Sequence, residues 1–140
     1  MINSDFNIEA LRNALATMQE CWAVYQQKQN DTAIAGIVAD SCVKRFEYTM
    51  ETALKLMRRY LKIEYAKDDK ELTVNNIFRF MDGYGMVENW ENWKAYYARR
   101  NDTSHEYNIE KARDLLPEIP AFIQDVSYLV NAFDKVKNNS

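Results

Sequence analysis

The stretch from Ala33 to Ala66 constrains the chain most, because it reads as one long helix with an unusually wide apolar side. Val43, Phe46, Met50, Ala53, Leu54, Met57 and Leu61 recur at helical spacing, and Val38, Cys42, Leu56 and Tyr60 widen the face on one side. One neighbour cannot cover such a face, so this helix should be the centre of a bundle. Along its other border run Asp40, Lys44, Glu47, Glu51, Lys55, Arg58 and Lys62. Glu51 can pair with Lys55 and Arg58. Glu47 and Glu51 are like charges one turn apart, which costs a few tenths of a kcal/mol unless a cation sits between them. These carboxylates either form a solvated, salt-bridged face or receive an arginine from elsewhere in the fold or from a partner chain.

The rest of the chain fits the same plan. Three glycines and two prolines leave little material for the turns of a many-stranded sheet protein, and 140 residues suit one domain spanning 1–140. The reading is all-α: an up-and-down bundle of four to five helices with a kinked last helix. A first helix runs from about Asn7, a candidate N-cap, to Gln29, with Ile8, Leu11, Leu15, Met18, Trp22 and Tyr25 in one stripe. Thr73 caps a short third helix from about Val74 to Tyr84, and Gly85 suits its C-terminal stop. A fourth helix, opened by Glu88 or Asn89, carries Trp90, Trp93, Tyr96 and Tyr97. Aromatics at this spacing are core residues; a base-stacking platform would need them exposed. The last helix runs to about Lys135, with a kink or break near Leu116 from Pro117 and Pro120. The predicted core comprises Leu11, Leu15, Met18, Trp22, Phe46, Met50, Leu54, Met57, Ile123 and Val130.

A net charge of −3 argues against a general nucleic-acid coat, but leaves room for a local phosphate site. Cys21 and Cys42 lie in helical patterns rather than in a CxxC or CxxH spacing, as buried thiols of a reducing compartment do. No apolar run approaches the roughly 20 residues of a membrane span, and the first residues lack signal-peptide character. A soluble cytoplasmic protein is the expectation.

Chemistry concentrates in Arg100-Asn101-Asp102-Thr103-Ser104-His105-Glu106-Tyr107, which contains the only histidine. Asn101 to Ser104 compete with helix backbone, and Thr103 with Glu106 has the form of a capping box, so the fourth helix should stop near Asn101. On an unbroken helix Arg100 and His105 would stand about 140° apart; a break would let both face one cleft. Arg100 offers a planar fork for a phosphate, and His105 can give and take a proton near neutrality. That pair suffices to cleave RNA through its own 2′-hydroxyl, without a metal or other cofactor. The chain offers no second His and no HxxE-type spacing for a metal. By residue type alone, His105 could equally be a structural cap.

Arg100-Asn101, His105 and Tyr107 together resemble the R-x4-H-x-Y signature of the HEPN superfamily. Asp40 and the run Arg45-Phe46-Glu47-Tyr48-Thr49-Met50-Glu51-Thr52-Ala53-Leu54-Lys55 resemble the long-helix motif of its nucleotidyltransferase substrate-binding branch. That branch has an Asp, then RFE-aromatic-T, then ELAWK; Thr52 and Leu54 depart from it where Leu and Trp are usual. The opening stretch from Asn7 to Leu15 is also of that kind. The resemblance implies a helical bundle and a homodimer with the Arg-His cleft at the subunit interface. It also implies a separately encoded minimal nucleotidyltransferase as partner, often as toxin and antitoxin, with RNA as the substrate of active members. Arg100, Asn101 and His105 would be catalytic, and Asp40, Glu47 and Glu51 would support them. Tyr107 would be the residue to which the transferase adds nucleotide. Three functions compete on these residues: a metal-independent ribonuclease, a non-catalytic subunit that presents substrate to the transferase, and a plain interaction bundle.

Overall fold

The computed structural model describes residues 2–3, 5–105 and 109–139, with the side chains of Ser104, His105 and Ile109 excepted. Its elements are α1 (Glu9–Gln27), α2 (Thr32–Tyr65), α3 (Val74–Gly83), α4 (Trp90–His105), α5 (Ile109–Leu115), a 3-10 turn (Leu116–Glu118) and α6 (Ile119–Asn138). The architecture is all-α, with no strand among the described residues. α5, the turn and α6 form the bent last helix of a five-helix bundle. Pro117 and Pro120 make the bend. Each sits in the first turn of its segment, one residue after the segment starts at Leu116 or Ile119, where a missing N–H costs nothing.

Local chemistry accounts for most helix ends. The Asp31 carboxylate accepts from the Ile34 N–H at 3.3 Å, and the Thr73 hydroxyl from the Asn76 N–H at 3.3 Å. α3 closes in a Schellman motif. Gly85 takes φ +74°, while Met86 N–H returns to the Met81 carbonyl at 2.8 Å and Gly85 N–H to that of Asp82 at 3.0 Å. Asn7 does not cap α1. Ile8 holds that position without a side-chain bond, and Asn7 Oδ1 instead accepts from the Glu9 N–H at 2.9 Å.

α2 is central, 34 residues long, with the other helices laid around it. Its buried side is Cys42, Val43, Phe46, Thr49, Met50, Ala53, Leu56, Met57, Tyr60 and Leu61. Phe46 meets Phe122 of α6 edge to face at 4.6 Å, and Tyr60 meets Phe133 at 5.5 Å. Arg12 forks onto Asp134 at 2.8 and 3.2 Å, tying α1 to α6. Tyr96 donates to Asp125 at 2.6 Å, tying α4 to α6; burial first, then that bond, raises its phenol above the ordinary range.

Three expectations need correction. Leu15, Trp22, Leu54 and Ile123 are only partly buried, unlike the other six core candidates. The buried stripe of α2 runs through Ala53 and Leu56–Met57, so Leu54 falls one position off it. Of the four α4 aromatics read as core, only two are fully buried. Trp93 and Tyr96 are buried against Phe78 and Phe122, and Trp90 and Tyr97 are half-buried. Finally, Cys21 is only part-buried, although Cys42 is fully enclosed. Among the described residues, no helix is long and apolar enough to cross a membrane.

Truncating the fully enclosed Phe46 to Ala should cost about 3–5 kcal/mol. Leu54→Ala should cost clearly less, because only part of its side chain leaves a packed environment. Urea unfolding of the two variants checks the order.

Candidate functional site

α4 lies along α2, and the two helices together bring the chemistry-bearing side chains into one place. Met50, Glu51, Leu54, Lys55 and Arg58 of α2 and Tyr97 and Arg100 of α4 line a cavity of about 290 Å³. Arg100 Nη2 stands 3.7 Å from Glu51 Oε2, and its Nη1 donates to Asn101 Oδ1 at 3.2 Å. Lys55 is 3.8 Å from Glu51 Oε1, and Arg58 is fixed by donating to the Leu72 carbonyl at 2.8 Å. Three cations and one carboxylate thus line the cavity, a local excess of positive charge in a chain whose net charge is −3. The Glu51 contact is a loose ion pair, so an incoming oxyanion can compete for Arg100.

One turn earlier on α2, Glu47 behaves differently. Its side chain is only 12% exposed, with Lys44 Nζ at 3.6 Å. The hydroxyl of Thr103, itself buried, lies 3.3 Å from Glu47 Oε2 and 3.2 Å from the Arg100 carbonyl. This contact pins the end of α4 onto α2.

It also explains why α4 does not break where local propensity says it should. The helix continues through Asn101, Asp102, Thr103 and Ser104 to His105. Thr103 therefore lies inside the helix, bonded back to the carbonyl three residues earlier, and is not the cap of a new one. Arg100 and His105 stand five residues apart on one continuous helix, about 140° around its axis, and not on two sides of a break. The His105 side chain and all of Glu106 and Tyr107 lie outside the described residues, so the proposed acid-base group and the proposed modification site are not placed.

Glu51 and Asn101 thus meet Arg100 directly, and Glu47 reaches it through Thr103. Asp40 stands nearer the start of α2. It lines a different cavity, of about 320 Å³, with Ile37 of α2 and Ala112, Arg113 and Leu116 from the last helix. From Asp40 to Glu51 is eleven residues, or roughly 16 Å along the helix axis. Lys55 and Arg58 were visible as border cations of α2, but only the packing of α4 shows that they share a cavity with Arg100. Tyr97, read as core, contributes an aromatic wall to it.

Replacing Thr103 by Val removes the hydroxyl beside the nearly enclosed Glu47 while keeping the shape. It should lower stability by about 1–3 kcal/mol, and chemical denaturation of the variant tests this.

The nucleotidyltransferase substrate binding protein like family matches residues 6–135. A curated relative from Haemophilus influenzae, the probable ribonuclease HepT, is 32% identical over 102 residues. That alignment takes in 71% of this chain but 66% of the relative, just under two thirds of its length. Among solved structures, HI0074 from Haemophilus influenzae, described as having the fold of a substrate binding domain of a nucleotidyltransferase, is 25% identical with a TM-score of 0.79. The match covers 89% of this chain and 97% of that one. A Thermus thermophilus protein, 22% identical, shares the fold with a TM-score of 0.71 over 86% of this chain and 96% of its own. With the family match running through every helix, and HI0074 alike over nearly its whole length, the chain belongs to the nucleotidyltransferase substrate binding protein family.

Proposed function

We propose that the chain is a HEPN-type helical subunit that cleaves RNA without a metal and pairs with a separately encoded minimal nucleotidyltransferase in a toxin-antitoxin-like module. The observation that carries this reading is the position of Arg100, held by Asn101 and loosely by Glu51 in a cavity that also receives Lys55, Arg58 and Tyr97. The relative named a probable ribonuclease supports it.

In this mechanism Arg100 takes the scissile phosphate and stabilises the charge that develops on it. His105 is the general acid or base for attack by the neighbouring 2′-hydroxyl. Asn101 keeps the guanidinium oriented. Lys55 and Arg58 add charge for the adjoining backbone. Five residues on one helix do not turn Arg100 and His105 to the same side, and a homodimer resolves this: two copies apposed near the ends of α4 can supply the arginine and the histidine from facing chains. Tyr107 is the residue that the transferase modifies to silence the cleft.

The test compares RNA cleavage by wild type, His105→Ala and Arg100→Lys, with total RNA and tRNA and with chelator present. His105→Ala should lose roughly 10²–10⁴-fold in rate. Arg100→Lys should also be poorly active, because an ammonium cannot copy the two-point contact. The pH profile should contain a step from one imidazole, and the rate should survive chelation. Equal rates for wild type and His105→Ala would remove the catalytic assignment. A second reading would then stand, that of a non-catalytic subunit presenting substrate to the transferase. The cationic, Tyr97-walled cavity favours it too, since a nucleotide offers both phosphates and a base.

The homodimer carries its own test. Sedimentation at tens of micromolar should give twice the chain mass of 16.5 kDa; a single species at the chain mass would exclude a shared cleft.

A further inference from the structure

Away from the Arg100 cavity, the two cysteines of the chain meet across the α1–α2 hairpin. Cys21 of α1 and Cys42 of α2 hold their sulfurs 2.9 Å apart, and both are free thiols. Their surroundings differ. Cys42 is fully enclosed, whereas Cys21 is part-exposed and lines a surface cavity of about 390 Å³ with Val24, Ile37, Ser41 and Arg45. Among the described residues, no third His, Cys, Asp or Glu converges on the pair as a metal site would require. Two thiols in contact, one reachable from solvent and one behind it, have the layout of an attacking and a resolving cysteine.

We propose that Cys21 and Cys42 form a redox-active dithiol that a hydroperoxide converts into an intramolecular disulfide stapling α1 to α2. A peroxide entering the cavity meets Cys21 first. The Cys21 sulfur attacks one peroxide oxygen and the O–O bond breaks. This leaves a sulfenic acid on Cys21 and releases the other oxygen as water, or as an alcohol from an organic hydroperoxide. The Cys42 sulfur then attacks the Cys21 sulfur, and the S–O bond breaks. The hydroxyl leaves as water with the Cys42 proton. Two thiols are oxidised by two electrons and one peroxide is reduced. Burial, and next the contact with Cys21, holds the Cys42 thiol above the ordinary cysteine range, consistent with its acting second. The staple closes the α1–α2 turn covalently and restricts the unfolded chain, so the oxidised protein should melt higher than the reduced one.

Trypsin separates the two cysteines at Lys28, into peptides 13–28 and 29–44. The reduced full-length protein is treated with hydrogen peroxide, alkylated and digested without reductant. The expected product is the linked pair 13–28/29–44, with both thiols lost to alkylation, the monomer two hydrogens lighter, and dithiothreitol restoring the original. Cys21→Ala and Cys42→Ala should each abolish the linked pair, and Cys42→Ala should instead collect sulfenic and higher acids on Cys21. Should the enclosed Cys42 position not tolerate Ala, Cys21→Ala at the part-exposed position carries the control. The proposal is overturned if wild type keeps both thiols, if each cysteine is oxidised separately without a link, or if the disulfide joins two chains.

Discussion

The bundle depends on covering the wide apolar side of α2. That helix presents ten buried residues, from Cys42 to Leu61, and no single partner spans them. α1 takes one flank, α3 and α4 another, and α6 closes over the middle and far end through Phe122 and Phe133. At roughly 1.5–3 kcal/mol for each large apolar side chain, this burial is the main favourable term. Ion pairs such as Arg12 with Asp134 add orientation more than stability, since both partners remain partly exposed. The functional consequence is indirect. Because α2 must be wrapped on several sides, its charged border is brought against α4, and residues far apart in sequence come to share a cavity.

The junction of α4 with α2 shows how packing overrides local preference. Asn101 to Ser104 favour a helix end by their own chemistry. In the fold Thr103 is buried and bonded both to Glu47 and to the preceding turn, so continuing the helix satisfies more groups than ending it. Had the helix stopped at Asn101, Glu47 would have lost its hydroxyl partner while nearly enclosed. This contact between residues 56 positions apart could not be read from spacing.

The same distinction separates what was legible from what was not. Apolar repeats at three and four residues reveal α2, α6 and the bend at Pro117, because periodicity and proline chemistry act locally. They leave the borders of a stripe uncertain by one position, which is why Leu54, next to the buried Ala53, looked like full core although it is only partly buried. The arginine of the site stood out through its motif. Its neighbours Lys55 and Arg58 did not, since a cation on a helix border looks alike whether it faces water or a cavity. Asp40 carried the motif as clearly as Glu47, and it lines a second cavity with Arg113 and the last helix, a neighbourhood that spacing alone does not reveal.

Glu47 and Glu51 are one turn apart on one helix and of the same charge, and the structure gives them opposite circumstances. Glu47 is 12% exposed and engaged with Lys44 and Thr103, whereas Glu51 is 49% exposed and reaches Lys55 and Arg100 only at 3.8 and 3.7 Å. A nearly enclosed carboxylate that accepts a hydroxyl from the neighbouring helix holds two helices in register, and losing that partner is costly. A half-exposed carboxylate at the edge of a cationic cavity holds much less, since water and salt screen it. Under the proposed function, Glu51 keeps Arg100 oriented until a phosphate offers a better fork, and then yields. Such a division separates anchoring from binding. In that reading the helix junction stays fixed through Glu47 and Thr103 while the guanidinium changes partner, so the proposed anionic ligand would be taken and released without loosening the fold that presents it.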